Sequence, residues 1–289
     1  MNNYRMFTDA TCDLSQDMLN ELEVAVIPME FLFGDKSYQH YPDAREMSLH
    51  DFYERLRGGE MPTTSQINVA AYLSYFEPVL KDDEDILYIC FSSGLSGSIS
   101  NARIAVTELE GKYPGRRIII VDSLCASTGE GALVYYTARE RLAGRSLDQA
   151  ATFAEEQKLL IHHWFTVDDL FHLKRGGRIS AKVAVAGTLM NIKPILNFNN
   201  EGKMEVAGKL RGRRKALEDL AGRLDAGVGL EDQVIFLSHG DCRQDAAEVE
   251  SMIRSRYKVR DVVTNYIGPI IGAHSGPNTI AVFFRGKSR

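Results

Sequence analysis

The run Phe91-Ser92-Ser93-Gly94-Leu95-Ser96-Gly97-Ser98 sets hydroxyl side chains and glycines between an apolar stretch and an amphipathic one. Read as strand, loop and helix, it places unpaired backbone N–H groups and the positive end of a helix dipole where an anion can sit. Its serines add neutral donors that tolerate hydrocarbon nearby. The same residue types fill ordinary caps and loops, so the run by itself leaves both readings open. It is not a triphosphate loop, because no Gly-Lys-Ser/Thr follows the glycines, and it lacks the dinucleotide fingerprint. Ser93-Gly94-Leu95-Ser96-Gly97 also echoes a nucleophile elbow, without an evident triad Asp and His in the expected chain order.

Pro62-Thr63-Thr64-Ser65-Gln66 is a second hydroxyl cluster, ahead of a helical stretch from Asn68, and an N-capping loop would look the same. In Gly268-Pro269-Ile270-Ile271-Gly272-Ala273-His274-Ser275-Gly276-Pro277 one histidine stands among glycines and prolines, where backbone can approach a ligand closely. The other histidines (His40, His50, His162, His163, His172, His239) show no metal-ligand spacing, and adjacent His162 and His163 point apart on a helix. Metal catalysis is therefore not expected. Basic residues gather in Lys174-Arg175-Gly176-Gly177-Arg178 and in Lys209-Leu210-Arg211-Gly212-Arg213-Arg214-Lys215. Arginine forks suit phosphate or an acidic partner surface. Cations are disfavoured at a helix start, which weakens a purely structural reading of Arg214 and Lys215.

These segments belong to a chain of 289 residues with 34 basic and 39 acidic side chains, a net charge of -5. Such a surface repels polyphosphate, so nucleic-acid binding is not expected. Cys12, Cys90, Cys125 and Cys242 are far apart and form no CxxC pair, which predicts free thiols in a reducing cytoplasm. No signal segment opens the chain at Met1-Asn2-Asn3-Tyr4, and no apolar run approaches the roughly 18 residues of a membrane span. A cytoplasmic protein without stable membrane insertion is the expectation.

The length predicts two domains, residues 1–164 and 165–289. In the first, apolar strands near residues 4–8, 24–28, 29–33, 86–91 and 118–121 alternate with helices opening at Ser15 and Ser48 and at residues 68–80 and 97–113. That alternation predicts a mainly parallel sheet buried on both faces and flanked by helices. Ligands bind beyond the carboxyl ends of such strands, where Thr8-Asp9-Ala10-Thr11, the serine run and Asp122-Ser123 stand. A long helical stretch is expected over residues 147–163. Beyond it, strands near residues 194–196, 204–206, 234–237, 262–266 and 280–284 surround helices at 214–224 and 244–257, with a hairpin turn at Asn199-Asn200-Glu201-Gly202. The pattern predicts a second α/β domain with a largely antiparallel sheet.

Taken in order, several segments together resemble the DegV family, which includes the fatty-acid-binding subunits of the bacterial fatty acid kinase system. They are Thr8-Asp9-Ala10-Thr11-Cys12-Asp13-Leu14, Thr64-Ser65-Gln66, the serine run, Val121-Asp122-Ser123 with Ser127, Gly129 and Gly131, Lys174-Arg175-Gly176-Gly177-Arg178-Ile179, Lys193-Pro194-Ile195, Arg211-Gly212-Arg213-Arg214-Lys215-Ala216 and Gly272-Ala273-His274-Ser275-Gly276-Pro277. Each is weak alone, and the ordered set spans essentially the whole chain. The resemblance implies a two-domain DegV-like α/β fold and a long-chain fatty acid in a buried apolar tunnel. Its carboxylate would lie at the domain junction, held by Thr64, Ser96 and His274, with Ser65, Ser93, Gly97 and Gly272 as secondary candidates. Arg178, Arg211 and Arg213 would contact a kinase catalytic subunit or the acyl phosphate. The implied role is a substrate carrier that presents its acid to the kinase, with no catalytic residue, metal or cofactor of its own beyond the bound acid.

Each buried methylene contributes about 0.8 kcal/mol, so about 14 of them offer on the order of 11 kcal/mol before ordering costs. Burial supplies affinity, and the carboxylate still needs donors because an unpaired buried charge is heavily penalised. Two other classes stay open at this level. One is an enzyme, either a serine hydrolase using Ser93 or Ser96 or a kinase-like phosphotransferase, the latter by analogy to dihydroxyacetone kinase domains alone. The other is a regulatory lipid sensor with a different partner.

Overall fold

The computed structural model describes residues 4–168, 170–179 and 191–289; the chain start read for a signal segment, Met1 to Asn3, lies outside them. Strands β1 (Tyr4–Asp9), β2 (Val24–Ile27), β6 (Asp85–Cys90) and β7 (Ile118–Asp122) form a parallel sheet in the order β2-β1-β6-β7. Side chains alternate across it. Phe7, Ile86 and Tyr88 pack on Tyr72 and Phe76 of α3 (Val69–Lys81) and on Ile99 and Ala102 of α4 (Ser98–Lys112). Met6, Leu87 and Ile89 face the other way, toward α5 (Thr128–Leu142) and α6 (Leu147–Gln157). Unbroken apolar runs such as Ile86 to Cys90 and Ile118 to Val121 are therefore the consequence of a sheet covered on both sides.

A second sheet runs in the order β10-β9-β8-β13-β11-β12. Its strands are β8 (Ile161–Thr166), β9 (Ile192–Phe198), β10 (Met204–Arg211), β11 (Val234–His239), β12 (Asp261–Tyr266) and β13 (Ile280–Arg285), antiparallel except for the β11–β12 pair. Phe236 and Phe283 share the core that also holds α5, whereas Ile235, Leu237, Val282 and Phe284 pack under α8 (Arg213–Gly222) and α9 (Arg243–Arg256). The parallel sheet and the mostly antiparallel sheet match the expected fold class. Helix α5 lies between them with every residue from Thr128 to Val134 buried, so its first turns lack the apolar stripe by which a surface helix is recognised. Gly129 and Gly131 make the fit possible: a Cβ there would stand 2.4 Å from His163 Nε2 and 2.5 Å from the Cys12 carbonyl oxygen.

The expected helix over residues 147–163 is corrected. Helix α6 ends at Gln157, a 3-10 turn covers Lys158–Leu160, and β8 begins at Ile161. His162 stacks on Phe284 and His163 on Phe198, on opposite faces of the strand, which satisfies two rings that a helix could not both bury here. The boundary placed between residues 164 and 165 cuts β8, all of which pairs in the second sheet. The division into two domains is a proposal that the two separate sheets support. No helix among the described residues is long and apolar enough to cross a membrane, and all four cysteines are free thiols.

A small sheet of β3 (Met29–Phe33), β4 (Lys36–His40) and β5 (Thr63–Thr64) stands beside the parallel sheet, its hairpin turning at Gly34 with φ +58°. Helix α2 (Leu49–Arg57) packs Phe52 on Phe31 of this sheet. Residues 268–277, rich in glycine and proline, form a compact helix rather than an open approach: α10 (Pro269–Ser275) begins with proline in its first turn and stops at Gly276 with φ +80°. Its Ile270 and Ala273 are buried in the N-terminal core with Phe31 and Phe52. A segment near the end of the chain thus returns to the small sheet of β3 and β5.

Candidate functional site

Thr64 sits on β5, paired with Phe31 of β3, and Ser65 Oγ donates to Glu30 Oε2 at 2.7 Å. The capping reading of these hydroxyls does not hold, because Asn68 caps α3 by accepting the Ala71 N–H at 2.9 Å. Ser96 lies beyond the end of β6. The strand order reverses its direction of growth between β1 and β6, which is where open α/β sheets hold ligands. Ser96 Oγ accepts the Ser98 N–H at 3.2 Å and lies 3.0 Å from Ser98 Oγ. The two hydroxyl loops are joined: Ile67 N donates to Ser98 Oγ at 3.3 Å, and Asn101 Nδ2 to the Ile67 carbonyl at 2.8 Å.

His274 closes the group from α10. Its Nε2 is 2.9 Å from Thr64 Oγ1. The helix is seated by Gly268 N–H donating to Asp13 Oδ1 at 2.9 Å and by Tyr53 O–H donating to the Ile267 carbonyl at 2.9 Å. Arg175 of α7 (Phe171–Arg175) straps the two arms, donating to the Ala273 carbonyl at 3.0 Å and to the Pro62 carbonyl at 3.3 Å. Burial, then the Arg178, Arg175 and His172 charges, hold the His274 pKa down to about 4. The ring is therefore neutral at physiological pH, with one N–H. Its Nδ1 is buried without a hydrogen-bond partner among the described residues, close against Gly176, where a Cβ would stand 2.2 Å away.

Thr64, Ser65, Ser96, Arg178 and His274 share the wall of a cavity of about 110 Å³ with Phe91, Leu95, Leu173, Ile270 and Met204. These polar groups are set in a mostly apolar lining, and of them Thr64 and His274 are in hydrogen-bond contact. Leu95, Arg178 and Met204 also border an adjoining open groove of about 680 Å³.

The remaining expected residues divide. Ser93 is exposed and its N–H donates to Asp122 Oδ1 at 3.1 Å, off the cavity wall. Gly97 and Gly272 lie off the cavity wall and pack closely against the Gln66 amide and the Tyr53 hydroxyl, where a Cβ would come to 2.8 and 2.7 Å. Arg178 turns inward, its Nε donating to the Leu95 carbonyl at 3.2 Å. Arg211 is exposed at the end of β10, and Arg213 pairs with Asp245 at 2.7 Å while donating to the Asn278 carbonyl at 2.7 Å. Sequence reasoning passed over Arg175 as a strap and Gly176 as the floor under the imidazole. The Gly176-Gly177 pair was the visible signal, but its partner is about a hundred residues away.

Two other chemistries lack their geometry among the described residues. His274 Nε2 bonds Thr64 rather than Ser93 or Ser96 and no carboxylate meets Nδ1, so the base and orienting acid of a hydrolase triad are not assembled. His50, Glu54 and Asp241 converge on the surface, but Arg57 pairs with both acids and supplies the positive charge there.

The chain matches the family model described as "Uncharacterised protein, DegV family" over residues 3–287. A DegV domain-containing protein of Clostridium perfringens is 41% identical over 290 residues, covering 100% of this chain and 99% of that one. A DegV domain-containing protein of Streptococcus pyogenes is 33% identical over 285 residues, covering 99% of each. Among solved structures, a DegV family protein of Thermus thermophilus described for fatty acid binding superposes with TM-score 0.88 at 28% identity, over 98% of this chain and 99% of that chain. DegV of Bacillus subtilis, described as a fatty acid binding protein, superposes with TM-score 0.86 at 27% identity, over 99% and 100%. By sequence along nearly its whole length, and by fold, the chain belongs to the DegV family.

Proposed function

We propose that the protein binds a long-chain fatty acid, with its carboxylate against Thr64, Ser96 and His274, and presents it to a separate kinase for acyl phosphate formation. The observation that carries the reading is the Thr64–His274 pair in the wall of a mostly apolar cavity. The fatty acid binding described for the Thermus thermophilus and Bacillus subtilis relatives supports the ligand class. An acid head taken from water needs donors. The Thr64 and Ser96 hydroxyls supply them without repelling a tail, and Arg178 adds one positive charge in the same wall.

A cavity of about 110 Å³ is smaller than the roughly 300–1,000 Å³ of pockets that bury drug-sized ligands. It accommodates the head and the first carbons. The rest of the tail runs past Leu95 and Met204 into the adjoining groove, with flexible Met29 and Met204 yielding to it. The carrier role, rather than turnover, follows from the resemblance to kinase-system subunits, as does a cytoplasmic site of action. Native mass spectrometry of the purified protein tests the ligand: an adduct with the mass of a fatty acid is expected. Protein that is empty and takes up no added acid sinks the proposal. Adding ATP and a fatty acid kinase catalytic subunit should convert the carried acid to its acyl phosphate.

A further inference from the structure

Beneath the Ser96 loop lies a polar chain that the headgroup site does not use. Asp9, Thr11 and Glu130 are all fully buried. Thr11 Oγ1 lies 2.7 Å from Glu130 Oε2 and also within hydrogen-bond reach of Asp9 Oδ1. A hydroxyl has one hydrogen, so it can serve one of these two carboxyl oxygens; the other contact requires a proton on a carboxyl group. Asp9 receives three further donors, the Thr11 N–H at 3.1 Å, the Tyr88 O–H at 3.0 Å and the Phe91 N–H at 3.0 Å. That is the environment of an ionised carboxylate. Glu130 receives one further donor, the Thr8 hydroxyl at 3.1 Å. Counting donors therefore puts the proton on Glu130 Oε2. It donates to Thr11, and Thr11 donates to Asp9.

We propose that Glu130 is a neutral, hydrogen-bond-donating acid that positions the Ser96 arm of the site through Thr11 and Asp9. The proposal rests on the reading of that site as a carboxylate receptor. Two routes lead from Asp9 to Ser96. The first is backbone: Asp9 Oδ2 holds the N–H of Phe91, the residue at which β6 gives way to the serine loop. The second is a file of hydroxyls. Because Tyr88 donates to Asp9, Tyr72 must donate to Tyr88 across 3.0 Å, Ser98 to Tyr72, and Ser96 to Ser98 across 3.0 Å in the ligand-free protein; a bound carboxylate takes the Ser96 hydrogen, and Ser98 Oγ keeps the Ile67 N–H. Burial raises the Asp9 pKa too, but the hydrogen bonds from Thr11, Phe91 and Tyr88 pull it back, whereas burial and the neighbouring Asp9 charge raise the Glu130 pKa well above its ordinary value, in agreement with the donor count. A protonated Glu130 also leaves one negative charge fewer under a site built for an anion.

The test uses the full chain. In ligand-free protein at neutral pH, infrared spectra should show the carbonyl stretch of a protonated carboxylic acid, and Glu130→Gln should remove it. Palmitate is then the probe for binding. Glu130→Gln keeps a donor and an acceptor and should leave affinity within about twofold, whereas Glu130→Leu and Thr11→Val, which cut the chain at different points, should each weaken it about tenfold. Rescue by glutamine but not leucine separates positioning from mere filling of space, with thermal unfolding followed in each variant. The proposal is overturned if the Glu130 band is missing, which needs only wild-type protein and Glu130→Gln, or if glutamine weakens binding as much as leucine does. A band without palmitate binding to wild-type protein overturns the ligand reading, and the positioning role with it, while the proton stays on Glu130.

Discussion

His274 Nε2 lies 2.9 Å from Thr64 Oγ1, although 210 residues separate the two in the chain. The pair joins a two-residue strand to the last turn of a short helix, and its polarity can be worked out. For the Thr64 hydroxyl to donate to a ligand, it must accept from His274, which requires the Nε2–H tautomer. That leaves Nδ1 as a bare acceptor, and a buried acceptor without a partner is less costly than a buried N–H without one.

Nitrogen NMR of the ligand-free protein should therefore report His274 protonated at Nε2 and unprotonated at Nδ1. On acidification its midpoint should fall near pH 4 rather than the ordinary 6.5. The sign for stability follows from a depressed folded-state pKa in a base. Burial of neutral His274 stabilises fully above about 6.5, and that contribution is lost as pH falls through about 4. A His274 signal titrating near its ordinary value would remove the neutral-ring account.

Ser96→Ala removes a donor to the head, and His274→Ala removes the bond that orients the Thr64 hydroxyl toward it, so each should weaken fatty acid binding by about tenfold while the fold survives. Titration calorimetry with palmitate measures it. Unchanged affinity in both would refute the headgroup assignment.

Gly176 and Gly177 make a controlled pair. A Cβ on Gly176 would stand 2.2 Å from His274 Nδ1, whereas Gly177 has open space and a left-handed φ of +72°. Gly176→Ala should push the imidazole off Thr64 and weaken binding by about tenfold. Gly177→Ala should cost about 1 kcal/mol of stability through backbone strain and leave affinity unchanged. Denaturant midpoints and palmitate binding, measured on both variants, separate the two effects.

The arginines should separate likewise. Arg178 lines the cavity, so Arg178→Ala should weaken acid binding. Arg213 is tied to Asp245 and Asn278 away from it. Arg213→Ala should spare binding, lower stability by about 1 kcal/mol through the lost pair, and reduce acyl phosphate formation with a kinase subunit. Loss of acid binding in Arg213→Ala would mean that the arginines are misplaced.

Much of the fold was legible where local rules act alone. Ser15 and Ser48 cap their helices as their residue types require, and Gly34 and Asn199 to Gly202 turn their hairpins. Unbroken apolar runs such as Ile86 to Cys90 and Ile118 to Val121 announced a sheet covered on both faces. What escaped was decided by distant partners. Helix α5 has no stripe because both sheets bury its first turns, and Ile161 to His163, which the sequence continues as helix, are strand because the two histidines gain their stacking rings from β9 and β13.

The residue types of the site were likewise written in the chain, as hydroxyls after strands and one histidine in a glycine-rich run. The sequence by itself determined the donors available and the apolar runs that would make a cavity. Which donors meet was settled only by the tertiary structure: α10 folds back onto the small sheet of β3 and β5, so His274 reaches Thr64, Ser93 turns to solvent, and Arg178 turns inward. The physical reason is that side-chain chemistry is a property of one residue, whereas a hydrogen bond across 210 positions depends on how every helix between them packs.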